Sequence, residues 1–169
     1  MDMTSKSLTF GELLEYFPPI ELPITLTSDI HHVFLQENRP LPEGLIAKFL
    51  RPPEEEVDPY TEYAACFRLP GTDQYQAIVY WKASLMSYEY VLATFQPNGR
   101  FITSRIIGGT KSDGETLLKR IATIDEESLI LIAEGIGPLD ERQYNANQSH
   151  TFQLEIAETG DILHMIIEN

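Results

Sequence analysis

From Tyr60 onward the apolar residues recur every second position, and the stretches that show this pattern are separated by very short breaks. A period of two is the signature of a β-strand with one buried face. Short breaks force consecutive strands to run antiparallel, because parallel neighbours need a crossover of a dozen or more residues. The spacing predicts strands at about 61–69, 75–82, 88–96, 100–107, 118–124, 129–136, 149–157 and 162–168. Turn-forming residues lie between most of them: Pro70-Gly71-Thr72-Asp73, Pro97-Asn98-Gly99, Asp125-Glu126-Glu127 and Thr159-Gly160.

Two of these turns predict a register. A two-residue loop at Thr159-Gly160 sets Ile156 opposite Leu163, Leu154 opposite Met165 and Phe152 opposite Ile167, one wholly apolar face, with Glu155 opposite His164 behind it. Pro97-Asn98-Gly99 fits a type I turn followed by a bulge at a left-handed glycine, which pairs Gln96 with Arg100. Longer connections are expected at Gly108–Thr116 and Gly137–Gln148, the second being the longest loop of the chain.

The first 50 residues read differently, as a helical N-terminal segment cut up by prolines. Thr9 and Glu12 form a capping box ahead of an apolar face of Leu13, Leu14 and Phe17, and Pro18-Pro19 ends that helix. Ile20–Leu26 is an extended strap. Ser28 is placed to cap a second helix reaching about Asn38, with Ile30, Val33 and Phe34 buried. A third begins at Pro42 and turns Leu45, Ile46, Phe49 and Leu50 inward. Residues 51–59 form a Pro/Glu-rich linker, expected to be exposed and the best internal candidate for disorder. Residues 60–169 are the β meander, and the whole chain of 169 residues fits a single domain.

The chain carries a net charge of −14, which repels phosphate backbones and anionic lipid. Nucleic acid and membrane are therefore not the expected partners, and a basic protein is. The lone Cys66 cannot close an internal disulfide, and Met1–Lys6 does not read as a secretory signal, so the cytoplasm is the expected compartment. The segment Glu54 to Glu62 holds Glu54, Glu55, Glu56, Asp58 and Glu62 with no basic residue between them. Its prolines keep it extended, so it is a candidate strap for a basic surface.

Motifs for chemistry are sparse. His31-His32 are adjacent and point apart on a helix, while His150 and His164 lie far apart along paired strands, so no metal site is expected. Cys66 sits mid-strand as a small hydrophobe. Gly108-Gly109-Thr110-Lys111-Ser112 lacks the Walker spacing and reads as a flexible loop. Acidic neighbours such as Asp140-Glu141 and Glu126-Glu127 read as solvated turns. No cofactor is expected. The aromatic residues Tyr75, Tyr80, Trp81, Tyr88 and Tyr90 are more informative. Tyr75 and Trp81 share one face of their strand, Tyr80 takes the other, and Tyr88 and Tyr90 share a face of the next strand. Such a set either fills a core or lines a binding surface.

The run Tyr90-Val91-Leu92-Ala93-Thr94-Phe95-Gln96-Pro97-Asn98-Gly99-Arg100-Phe101-Ile102, with its continuation in Ile121–Asp125 and Phe152–Leu163, resembles the strand–turn–strand units of uncharacterised Bacteroidetes β-meander proteins. The resemblance covers about the C-terminal two-thirds. It implies an antiparallel β fold and carries over no function and no functional residue.

The fold class expected is therefore mainly β (α+β), with short N-terminal helices and about eight antiparallel strands in a curled sheet or open barrel. The first functional reading is a non-enzymatic protein-interaction module, an acidic inhibitor or immunity-like protein being one form. The alternative is a small-ligand-binding β-barrel-like protein. An enzyme ranks third.

Overall fold

A computed structural model describes residues 8–52, 55, 58–138 and 149–166. The chain is mainly β. Helix α1 (Phe10–Glu15) is followed by β1 (Ile24–Leu26), α2 (His31–Glu37) and α3 (Glu43–Leu45), the last running on as a π-helical turn over Ile46–Leu50. The meander follows: β2 (Glu62–Arg68), β3 (Gln76–Ser84), β4 (Ser87–Phe95), β5 (Phe101–Ser112), β6 (Thr116–Ile124), β7 (Ile130–Pro138), β8 (Ser149–Ile156) and β9 (Ile162–Ile166). These eight pair in sequence order, every pair antiparallel, in one sheet that does not close into a barrel.

The strap before α2 is also a strand. Ile24, Thr25 and Leu26 pair antiparallel with Ile124, Thr123 and Ala122 of β6. There is room for it because β5 and β6 diverge. Only Gly109–Ser112 of β5 pair with β6, at Leu117–Arg120. The region read from sequence as a loop at Gly108–Thr116 is therefore mostly strand, and the connection is the tight turn at Asp113–Glu115. The reason lies in a β-bulge between Tyr90 and Val91, where β5 bends. A Cβ on Gly109 would lie 1.9 Å from the carbonyl oxygen of Tyr88, and Gly109 has a φ of +106°. The two glycines thus allow close backbone approach at the bend.

Three hairpins share one turn chemistry. Gln96, Asp125 and Ala157 each donate their N–H to the carbonyl four residues on, and each accepts from the N–H three residues on. The residue before closure has positive φ in each: Gly99 at 94°, Ser128 at 67°, Gly160 at 91°. This matches the expectation for Gln96–Arg100 and corrects the one for the last hairpin. Its loop is three residues long, so Ile156 faces Ile162, Leu154 faces His164 and Phe152 faces Ile166, while Glu155 faces Leu163. The β8 face was read correctly, with Leu154 buried and Phe152 and Ile156 packed on the core. The one-residue shift turns Leu163 and Met165 to the outside, where they are 48% and 41% exposed.

Two apolar layers hold the fold. Phe67, Tyr75, Val79, Trp81, Tyr90 and Leu92 of the first strands pack against Ala122, Ile124, Ile130, Ile132, Leu154 and Ile162 of the last. On the opposite face of β2–β4, Ala65, Ile78, Tyr80, Val91, Ala93 and Phe95 are covered by Phe10, Leu13, Phe17, Leu45, Ile46 and Leu50 of the helices. Helix α1 forms as the capping box predicts, with the Glu12 N–H donating to Thr9 Oγ1 at 3.1 Å. Helix α2 starts later than expected. Thr27 Oγ1 donates to the Asp29 carboxylate at 2.6 Å in a turn, Ser28 gives no cap, and the helix begins at His31 with only Phe34 fully buried and Val33 exposed.

Candidate functional site

Of the aromatic residues singled out from sequence, Tyr88 and Tyr90 meet the Trp81 ring while Tyr80 packs on the opposite face of the sheet, and most of the set fills the core. Tyr75, Tyr80, Trp81 and Tyr90 are buried, and only Tyr88 is exposed. The His31 ring stacks on Trp81 with centroids 4.4 Å apart and planes 6° from parallel. Tyr90 tilts against the same indole at 4.7 Å, and Tyr88 lies nearly parallel to it at 6.2 Å. The Tyr90 hydroxyl donates to the Thr27 carbonyl at 3.1 Å, and His31 Nδ1 donates to the Ser28 carbonyl at 2.9 Å, so the start of α2 is pinned to the sheet.

Beside this stack lies a cleft of about 210 Å³ lined by Ser28, His31, Trp81, Tyr88, Gly109 and Thr110. Burial is the main influence on His31 and pulls its pKa below the usual histidine value, favouring the neutral ring. Burial likewise pushes the Tyr80, Tyr90 and Cys66 pKa values up, so these groups stay protonated. A thiol held protonated in an apolar core is a packing residue rather than a nucleophile. His31 and His32 are neighbours in contact, with ring centroids 4.0 Å apart. Among the described residues no three metal-ligating side chains converge.

A polar cluster crosses the bend of the sheet. Arg120 Nε donates to Glu134 Oε2 at 2.7 Å, and Arg120 Nη1 lies 4.0 Å from Glu89 Oε2. The Ser87 hydroxyl donates to Glu89 Oε1, while Oε2 of Glu89 is buried and makes no hydrogen bond among the described residues. One guanidinium bridges two carboxylates and leaves the cluster one negative charge in excess, a grouping that sequence neighbours alone did not reveal.

The acidic strap is only partly a free surface. Glu54 and Glu56 lie outside the described residues. Glu55 pairs with Lys82 Nζ at 3.0 Å, both half-buried. Asp58 spends its carboxylate on a turn, accepting from the Tyr60 N–H at 2.9 Å and the Thr61 hydroxyl at 3.1 Å. Glu62 is exposed at the start of β2.

The feature missed in sequence is the outer face of β6–β9. Thr123, Leu131, Gln153 and Met165 are consecutive partners across four strands, and Glu155 sits opposite Leu163 beside them. Leu131 is 45% exposed. Glu126 and Glu127 lie exposed in the β6–β7 turn, with Glu158 and Asp161 exposed in the β8–β9 turn. No described helix covers this face. The shifted register of the last hairpin hid it, since the expected register buries Leu163 and Met165.

No helix among the described residues is long and apolar enough to cross a membrane. No family model, curated protein or solved structure matches the chain.

Proposed function

We propose that this chain is a non-enzymatic protein-interaction module that docks a basic protein through the outer face of β6–β9. The observation that carries the reading is the trio Leu131, Leu163 and Met165, set about Gln153 and left uncovered by any described segment, beside the carboxylates of Glu126, Glu127, Glu155, Glu158 and Asp161. An apolar centre with a charged rim is the anatomy of a protein interface. Among the described residues of this face, five carboxylates outnumber the one exposed base, Lys119 of β6, so the rim is net acidic, steers a basic partner and makes association salt-sensitive. The net charge of −14 supports the same choice.

The ligand-binding alternative rests on the cleft at His31, Trp81 and Tyr88. Its volume of about 210 Å³ falls short of the ~300–1,000 Å³ of small-molecule sites, and the aromatic side chains that would line a larger chamber are packed in the core.

The test is affinity capture from the native host with the wild-type chain and with Leu131→Ser/Met165→Ser, each at low and at about 0.15 M salt, where screening shortens to ~8 Å. A basic protein retained by the wild type, weakened by salt and lost with the variant is the expected result. Capture that ignores both changes rejects the reading.

A further inference from the structure

The two edges of the sheet are treated differently. The β2 edge is covered: Asn38 Nδ2 donates to the carbonyls of Ala65 and Cys66 at 2.7 and 2.8 Å, and the Arg68 N–H donates to the Pro18 carbonyl at 2.9 Å. Strand β9 is the other edge, and no described segment pairs with its outer side. In the last hairpin Ala157 donates to Asp161, and antiparallel ladders alternate bonded and non-bonded pairs. Leu163 and Met165 therefore bond inward to β8, and Ile162, His164 and Ile166 aim their N–H and C=O groups outward.

Open edges in monomers are blunted by lysine, proline or a bulge. Strand β9 has none of these: it reads Ile162-Leu163-His164-Met165-Ile166, with Ile166 80% exposed. The strand is also palindromic in character about His164. Set antiparallel to itself, Ile162 meets Ile166, Leu163 meets Met165, and His164 meets His164. A two-fold interface requires this self-complementarity, because each surface must match its own copy. Glu158 and Asp161 precede the strand and Glu168 follows it in the sequence, so both ends are acidic and the antiparallel choice rests on the match of side chains about His164.

We infer that β9 is a dimerisation edge whose partner is β9 of a second copy, paired antiparallel about His164. The dimer joins the two sheets into one and places the two outer faces side by side. The inference stands apart from the basic-partner reading, since its test uses this chain alone.

The test is sedimentation of the full chain from micromolar concentration to about 1 mM, the range that detects weak pairing. The wild type is expected to pass from monomer to dimer. His164→Glu and His164→Lys each set like charges on the axis, and each alone is expected to weaken the dimer at least about tenfold. Mixed in equal amounts they are expected to restore it as a heterodimer, which a merely structural role for His164 does not predict. Ile166→Pro removes one outward N–H and leaves the β8 ladder intact, so it is expected to weaken pairing with the thermal melt of the monomer unchanged, and it serves if the His164 variants do not fold. A wild type that stays monomeric to about 1 mM overturns the inference, as does a dimer that none of these variants weakens.

Discussion

Strand β3 buries five consecutive residues, Ala77 to Trp81, whereas β7 buries Ile130 and Ile132 and exposes Leu131 and Ala133 between them. Both are nine-residue strands inside the same sheet. The difference is what lies behind them. Helices α1 and α3 cover the far side of β2–β4, so both faces of β3 are interior and alternation disappears from its sequence. Nothing described covers the far side of β7, and its alternation survives. An uninterrupted apolar strand therefore marks a double layer, and an alternating strand marks a sheet covered on one face only.

The largest effect expected from this contrast belongs to the doubly covered half. Phe95 is 1% exposed and packs on Phe10 at 5.1 Å and on Phe101 at 5.8 Å. Phe95→Ala is expected to cost about 3–5 kcal/mol in a denaturant melt, because it opens a cavity between the helices and the sheet. A loss near zero would mean that the helices do not contribute a second layer.

The inner face of the other half comes next. Leu154 is 2% exposed, and Leu154→Ala is expected to cost about 2–5 kcal/mol, measured the same way. Loss below about 1 kcal/mol would invert the face of β8, since a slip of one residue moves every side chain across the sheet.

The two edges give a smaller difference. Asn38→Ala removes the donor that satisfies two carbonyls of β2 and is expected to cost about 1–3 kcal/mol by thermal melt. It should also expose β2 as a second open edge, read as a new tendency to associate at high concentration.

These contrasts show what was legible in the chain. All eight strands of the meander were readable, because turn residues and a period of two agree along most of its length. The Gln96–Arg100 turn was readable because Pro97 and Gly99 each satisfy one dihedral demand. The last hairpin was one residue out. Gly160 serves equally as half of a two-residue loop or as the bulge of a three-residue loop, and Leu163 is as apolar as Ile162, so composition did not discriminate between the registers. Gly108-Gly109 looked like a loop because glycine is rare inside strands, and the need for it comes from the bulge at Ile107 and from the close approach of β4, neither of which composition shows. The candidate surface was hidden by the same register error. The strap carboxylates were visible, but their partners Lys82 and the Tyr60–Thr61 turn depend on how the chain packs.

The smallest expected effect on stability is the most informative about function. Ile78 and Leu131 both sit on the outer side of the sheet, Ile78 under the helices and fully buried, Leu131 uncovered and 45% exposed. Leu131→Ser gives up a side chain only about half buried and leaves no fully buried hydroxyl, so the melt is expected to move by about 1 kcal/mol. Ile78→Ser, its match in the covered half, strips a side chain from a packed layer and buries a polar group, and is expected to cost several times more. If Leu131 were instead buried by a segment outside the described residues, the two serine variants would destabilise alike, and the outer face of β6–β9 would belong to the core. Unequal melts combined with loss of the captured basic protein in Leu131→Ser would place that side chain at an interface rather than in the fold.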